Sequence, residues 1–325
     1  MFGLAYGDAL GKPTEFMRYD EIVAAYGPGG PQALEGDPAL VTDDTQMTLC
    51  VADALLAALE EPPLTAARLE PQARVRFMAW AVSPENDRAP GMTCMQAIGR
   101  LAAGTSWVEA SERGSKGCGA NMRVAPIGLV PGLTDVERAA AAQLQAALTH
   151  GHPTALAASE LTAFAVHWLR TGLAPAELPA TLRERCREQR TVYHGDWLGE
   201  LWQSPGVEGP EQFMARGWDE CVAVLDRLDA ALASPDRGGD PCAATGEGWI
   251  AQEALATAVH CFLLHPGDPV AALGRAAATS GDSDSIASLA GAFAGAAHGF
   301  EVWPAQWARQ IEYAGELERI GRAWD

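Results

Sequence analysis

The stretch Gly281-Asp282-Ser283-Asp284-Ser285 runs directly into an apolar segment, Ile286 to Phe300. Carboxylates at i and i+2 with a hydroxyl at i+4 fit a tight turn entering a helix. An echo lies near the other end of the chain, where Thr42-Asp43-Asp44-Thr45 precedes the apolar run Met47 to Leu59. Asp, Ser and Thr before an apolar run are helix N-caps by type, worth about 1 kcal/mol each. A cap uses one residue per helix, however, and leaves Asp44 beside Asp43, and Asp284 beside Asp282, unexplained. The partly positive helix N-terminus also disfavours a cation, so a metal there needs surplus carboxylate. Both stretches have that surplus. Four carboxylates around one point repel or raise each other's pKa, whereas hard divalent cations such as Mg²⁺, Mn²⁺ or Ca²⁺ select such oxygen ligands. The two ends of the chain are therefore expected to build a two-metal site.

The rest of the chain reads as helices. Phe2 to Gly11 is small and apolar, interrupted by Asp8, and ends at Gly11 with Pro13 beyond. Helical periodicity is expected over Pro71 to Val82, with Val75, Met78, Ala79 and Val82 on one face, and over Gln96 to Ala103. It recurs near 135–149 and 153–171 and over Leu178 to Gln189. Gln212 to Ala233 follows, with Val222, Val224, Leu225, Leu228 and Leu232 as expected buried positions. Ile250 to Leu264, Val270 to Thr279, Ser285 to Phe300 and Gln306 to Ile320 complete the series. Residues 27–31, 111–121 and 234–248 read as loops, and Asp196 to Gly209 as irregular. Alternating β-branched runs with hairpin turns are missing. The expectation is an all-α, compact, single-domain multi-helix fold over residues 1–325, with no internal repeat.

Composition narrows the function. The chain has 325 residues, 48% of them hydrophobic, and a net charge of −19. It is globular in composition, and it offers no basic field to draw a nucleic-acid backbone or an anionic membrane. Seven cysteines without a Cys-x-x-Cys pair suit reduced thiols and a cytoplasmic location. No run reaches the ~18 apolar residues of a membrane span, and no basic-then-apolar leader opens the chain. An acidic surface and short loops make a monomer the default.

Gly7 to Thr14 superficially suggests a phosphate loop, but its spacing is wrong and Pro13 lacks the N–H a phosphate would want. His150-Gly151-His152 is read as a solvent-facing or capping pair before it is read as a metal ligand. Gly114-Ser115-Lys116-Gly117-Cys118-Gly119 is a candidate anion nest, since successive glycines let the backbone present several N–H groups. Arg88 to Thr93, just before a helix, is a second candidate phosphate contact.

Together these stretches resemble the ADP-ribosylglycohydrolase family, of the dinitrogenase-reductase-activating glycohydrolase type. The resemblance rests on Gly7-Asp8-Ala9-Leu10-Gly11 with Glu15, on Thr42-Asp43-Asp44-Thr45, and on Gly114-Ser115 through Asn121-Met122-Arg123 with Pro126. Thr149-His150 and Gly281-Asp282-Ser283-Asp284-Ser285 follow in the same order. It implies a compact all-α fold with a dinuclear Mg²⁺ or Mn²⁺ cleft, whose ligands would be Thr42, Asp43, Asp44, Asp282, Asp284 and Ser285. Glu15 would be the mobile acid/base or hold a metal-bound water, with Asp43 and Asp284 also catalytic. Gly91 and Thr93 would hold the diphosphate together with Gly114, Ser115, Lys116, Gly117, Cys118 and Gly119. His150 would line the distal-ribose and phosphate pocket, and Trp249 would lie near the ligand. Ser283 and Ser285 replace threonines, Cys118 stands where relatives often carry Asn, and Lys116 where some carry an aromatic. A lysine there favours a negatively charged group.

The implied activity is metal-dependent cleavage of the glycosidic bond between ADP-ribose and a protein side chain or small acceptor. Two other classes remain open at this point: a metal-dependent nucleotide phosphohydrolase, and a non-enzymatic, crystallin-like binding member.

Overall fold

The computed structural model describes residues 1–204 and 206–324. Among them it is helical throughout, with only isolated bridges such as Ala39 to Ile311 and Glu112 to His150 in place of strands. Among the described residues no helix is long and apolar enough to cross a membrane. The seven cysteines are free thiols, six of them buried.

The architecture is organised by one antiparallel helix pair. The helix Phe2–Gly11 lies against Ser283–His298 at a separation that only small residues permit. Gly3, Gly7 and Gly11 recur at i, i+4 and i+8 and so share one face. A Cβ on Gly7 would fall 1.9 Å from the Ala287 carbonyl oxygen, one on Gly3 2.3 Å from that of Gly291, and one on Gly11 2.4 Å from Asp284 Cα. From the other side, a Cβ on Gly291 would meet the Gly3 carbonyl oxygen at 1.9 Å. Backbone-to-backbone packing of this kind sets Asp8, and Glu15 just beyond the helix, beside Asp282 and Asp284.

Around this pair the core is contiguous, filled by Leu4, Leu10, Met47, Leu55, Phe77, Leu144, Leu156, Phe262, Ile286 and Phe293, all at 1% exposure or less. Most expected helices are found within a few residues of the expected limits: Asp43–Ala58, Met92–Ala102, Asp135–Ala147, Pro153–Arg170, Leu178–Gln189, Pro210–Ala233, Ala251–Leu264 and Pro269–Ala277. Val224, Leu225 and Leu228 are buried as expected, while Val222 and Leu232 are only partly so. The irregular reading of Asp196–Gly209 includes Pro205, which lies outside the described residues, and also a single helical turn at Gly195–Leu198.

Three expectations are corrected and one helix is added. The helix Ala66–Ala81 starts after Thr65 and runs through Pro71; Leu69 is buried, so packing extends the helix upstream of the proline. Its buried face is Leu69, Ala73, Phe77 and Trp80, whereas Val75 and Val82 are 62% and 83% exposed. Tyr19–Tyr26 is a helix that periodicity missed, because it buries only Ile22. The C-terminal helix expected over Gln306–Ile320 is two, Trp307–Gln310 and Ala314–Trp324. The break serves backbone pairing: Ala39 N–H donates to the Gln310 carbonyl at 2.7 Å and Glu312 N–H to the Ala39 carbonyl at 3.0 Å.

Candidate active site

The two acidic turns meet through the glycine crossing. Asp8, fully buried, accepts hydrogen bonds from Thr42 N–H at 2.9 Å, Thr45 N–H at 3.0 Å and the Thr45 hydroxyl at 2.5 Å. It thereby satisfies first-turn donors of the Asp43–Ala58 helix that have no intrahelical partner. Capping by a residue 34 positions upstream frees Asp43 and Asp44 from that task. On the other turn, Ser283 donates to the Gly11 carbonyl at 3.1 Å and lies 3.0 Å from the Thr14 hydroxyl. Ser283 thus ties the turn to the N-terminal segment, leaving Asp282, Asp284 and Ser285 to face the cluster.

Within the cluster, the Thr42 and Ser285 hydroxyls donate to Asp44 Oδ2 at 3.4 and 3.5 Å, so both chain ends reach one carboxylate oxygen. Ser285 N–H donates to Asp284 Oδ1 at 2.9 Å. The other Asp44 oxygen, Oδ1, is enclosed and takes no hydrogen bond. An orphaned, buried carboxylate oxygen is costly unless a cation meets it.

Burial raises every one of these acids, and repulsion from neighbouring carboxylates adds to it in all but Asp284. Asp8 is pushed up to about 7, by desolvation first and then by Asp284. Asp43 is pushed up to about 8 by the same two causes, and Glu15 to about 9, with Asp43 and Asp8 adding to them. Asp44, Asp282 and Asp284 are also raised, desolvation leading in each case.

An all-oxygen donor set, an orphaned carboxylate oxygen and four crowded aspartates fit hard divalent cations. Among the described residues no three His, Cys, Asp or Glu side chains are already arranged to hold a metal ion. Two of the six candidate ligands, Thr42 and Ser285, are hydroxyls, and their hydrogen bonds to Asp44 join the two turns directly.

Loops close around the acids. Gly91 N–H donates to Asp43 Oδ2 at 3.3 Å, and the Thr93 hydroxyl lies 3.1 Å from that of Ser115. Arg88 is committed elsewhere, donating to the Val41 carbonyl at 2.6 Å and to Glu312 Oε1 at 3.0 Å, which anchors this loop beside Thr42. Asp282 N–H donates to the Glu247 carbonyl at 2.8 Å, and Cys118 N–H to the Trp249 carbonyl at 3.0 Å. These bonds join Gly114–Gly119 to the Trp249 segment and to the C-terminal acidic turn. Trp249 is 43% exposed and stacks on the exposed Phe16, next to Glu15, at 6.4 Å between ring centroids.

The candidate substrate-binding residues are thus brought to one region, with two surprises. Lys116 is not a free cation: its ammonium lies 2.6 Å from Glu220, which also accepts from the Thr154 hydroxyl at 3.0 Å. His150 does not face solvent; it is 2% exposed under the Gly117–Gly119 backbone. His152 does cap the Pro153–Arg170 helix, accepting from Thr154 N–H. Sequence reading missed Asp8 as a site-building residue, although its charge inside an apolar helix was the available signal. A cavity of about 860 Å³ lies at the other end of the central helix pair, among Phe2, Leu4, Phe300, Trp303, Leu317 and Trp324. It contains none of the candidate residues; its walls are largely apolar, with Glu318, Arg309 and Arg322 among them.

Known proteins resemble this chain in sequence and fold. The family described as ADP-ribosylglycohydrolase matches residues 1–324. ADP-ribosylhydrolase ARH3 of Mus musculus is 28% identical over 321 residues, covering 91% of this chain and 80% of its own length. The ADP-ribosyl-dinitrogen reductase glycohydrolase of Rhodospirillum rubrum is 27% identical over 324 residues, covering 97% and 90%. A solved structure, an ADP-ribosylglycohydrolase-related protein complex, shares the fold with a TM-score of 0.67 at 24% identity, over 99% of this chain and 94% of that one. With the family match spanning essentially the full sequence, this chain belongs to the ADP-ribosylglycohydrolase family.

Proposed function

We propose that this chain hydrolyses the glycosidic bond between ADP-ribose and an acceptor, either a modified protein side chain or a small molecule, in a metal-dependent reaction. The observation that carries the reading is the convergence of both acidic turns, reaching Asp44 Oδ2 from both chain ends with Glu15 at their edge. Thr42, Asp43, Asp44, Asp282, Asp284 and Ser285 would hold two Mg²⁺ or Mn²⁺ ions. Bound there, such ions supply Lewis-acid fixation of the distal ribose hydroxyls.

The chain's own residues do the rest. Glu15, half-buried and raised above the usual carboxylate range by burial first and then by Asp284, Asp43 and Asp8, delivers a proton to the leaving nitrogen or oxygen as the bond to C1′ breaks. As a carboxylate it then takes a proton from the water that forms the new C1′–O bond. Gly91, Thr93 and the Gly114–Gly119 loop would position the diphosphate, with His150 beneath it, and orientation of this kind is where much of the rate arises. Trp249, stacked on Phe16 beside Glu15, would flank the acceptor. The Lys116–Glu220 pair places both charges on this side of the loop, favouring polar contacts over stacking. The acidic composition supports a small-molecule or protein partner over nucleic acid. A single-domain monomer in the cytoplasm is part of the same reading.

The test is product identity. With Mg²⁺ or Mn²⁺, the protein is expected to release free ADP-ribose from ADP-ribosylated arginine or serine peptides or from a small O-linked acceptor. Asp282→Ala and Asp284→Ala should each lose about 10³-fold or more of that rate while keeping the helical circular dichroism. Release of inorganic phosphate instead would establish a phosphohydrolase, and full activity in either variant would remove the site assignment.

A further inference from the structure

A buried chain of donors runs beneath the Gly-rich loop. Arg123 is 0% exposed, and its guanidinium sits 4.4 Å from the centroid of the Phe77 ring. Its Nε donates to Gln145 Oε1 at 2.9 Å, and its Nη2 donates both to the Gln145 carbonyl and to Thr149 Oγ1, each at 2.8 Å. The Thr149 hydroxyl is therefore an acceptor from Arg123, and its single proton has three outlets: the Cys94 sulfur, a weak acceptor, and two stronger ones. His150 Nδ1 lies 2.8 Å away, the Ala146 carbonyl oxygen 3.5 Å. At 3.5 Å a hydroxyl bond is marginal, so the nearer nitrogen takes the proton. A neutral imidazole that accepts at Nδ1 carries its own hydrogen on Nε2.

That nitrogen points at the loop. A Cβ built on Gly117 would come 3.3 Å from His150 Nε2, and one on Gly119 3.5 Å from it. No described residue takes a hydrogen bond from Nε2. The charged form of the ring is disfavoured, since burial and then the Arg123 cation pull His150 down to about 3. The Nδ1–H tautomer would instead turn a lone pair towards whatever the glycine loop holds, repelling a phosphate oxygen.

We infer that Arg123 and Thr149 are positioning residues that fix His150 as the neutral Nε2–H tautomer, a donor aimed at an anionic oxygen held by the Gly114–Gly119 loop. The donor's target rests on the diphosphate placement proposed above. The tautomer itself belongs to the ligand-free protein and is measured without any substrate.

The experiment is ¹⁵N imidazole NMR of the full chain, with the His150 signals assigned by their loss in His150→Gln. In the wild type we expect the protonated nitrogen to be Nε2, the one coupled to both carbon-bound ring protons. In Thr149→Val that exclusive signature should disappear and ADP-ribose binding weaken about tenfold, the scale of one charge-assisted hydrogen bond. Thr149→Ser should restore both. A wild-type spectrum showing Nδ1–H or imidazolium at neutral pH overturns the inference even if Thr149→Val does not fold. So does an unchanged Nε2–H signature in Thr149→Val. If the signature is present in the wild type and lost in Thr149→Val while ADP-ribose fails to bind the wild type, the relay stands and the diphosphate placement falls.

Discussion

Asp44 concentrates the problem that this site presents to a folded chain. One of its oxygens accepts hydroxyls from both chain ends, the other is enclosed without a donor, and burial first, then Asp284, Asp8, Asp43 and Asp282, raise it. Such a cluster costs stability whenever it is ionised without a cation, and linkage gives the sign. Asp8, Asp43 and Glu15 titrate at about 7, 8 and 9 in the folded chain, against about 4 in an unfolded one. Between those limits the native state binds more protons, so the contribution is fully present near pH 4 and is lost as pH rises through 7 to 9. Buried His194 and His260, lowered to about 4, act in the opposite sense below about pH 6.5. The clean window is therefore above that. We predict that chelator-treated protein loses stability, and its melting temperature falls, from pH 6.5 to 8, by about 1.4 kcal/mol per pH unit for each retained proton. Above about pH 8 the cysteines that burial raises to about 12 add a fall of their own. Saturating Mg²⁺ or Mn²⁺ should flatten the fall. A metal-free melting temperature that stays level or rises across this range would contradict the electrostatics described here.

At the scale of elements, the decisive device is the glycine face of Phe2–Gly11. Gly7→Ala would put a methyl carbon 1.9 Å from the Ala287 carbonyl oxygen, in backbone that has nowhere to retreat. The helices must separate, at a cost of about 3 kcal/mol, and Asp8 must leave the Asp43–Ala58 N-terminus with them. Denaturant unfolding should report that loss, and activity should fall further than stability alone requires. Wild-type stability in Gly7→Ala would mean that the crossing is not what sets the site. This device also marks where sequence reading stops. The Gly3, Gly7, Gly11 spacing was on the page, but a small-residue face announces close packing only once its partner is known, and Ala287 and Gly291 lie some 280 residues on. Runs such as Asp43–Ala58 and Ala251–Leu264 were legible because buried apolar residues fill most of the helix. Tyr19–Tyr26, with Ile22 alone buried, carried no such signal. On Ala66–Ala81 the expected face lost to Phe77 and Trp80, because the larger side chains decide which stripe turns inward. The break after Gln310 came from pairing with Ala39, a contact no local pattern encodes.

For the whole molecule, both acidic turns were readable as more than caps from their surplus carboxylates, and the family resemblance supplied their roles. What the resemblance left out is how they are held: Asp8 as a remote cap, Ser283 as a tie to Gly11, and His150 turned under its loop by Thr149 and Arg123. These groups lie on separate segments that only the fold brings together, which makes the account a claim about one assembled site. Calorimetric titration of the intact protein with ADP-ribose, in Mg²⁺ or Mn²⁺ and again after EDTA, addresses that claim most directly. The account predicts micromolar binding that disappears on chelation and returns with the metal. Binding that survives chelation, or none in either state, would contradict a metal-organised ADP-ribose site.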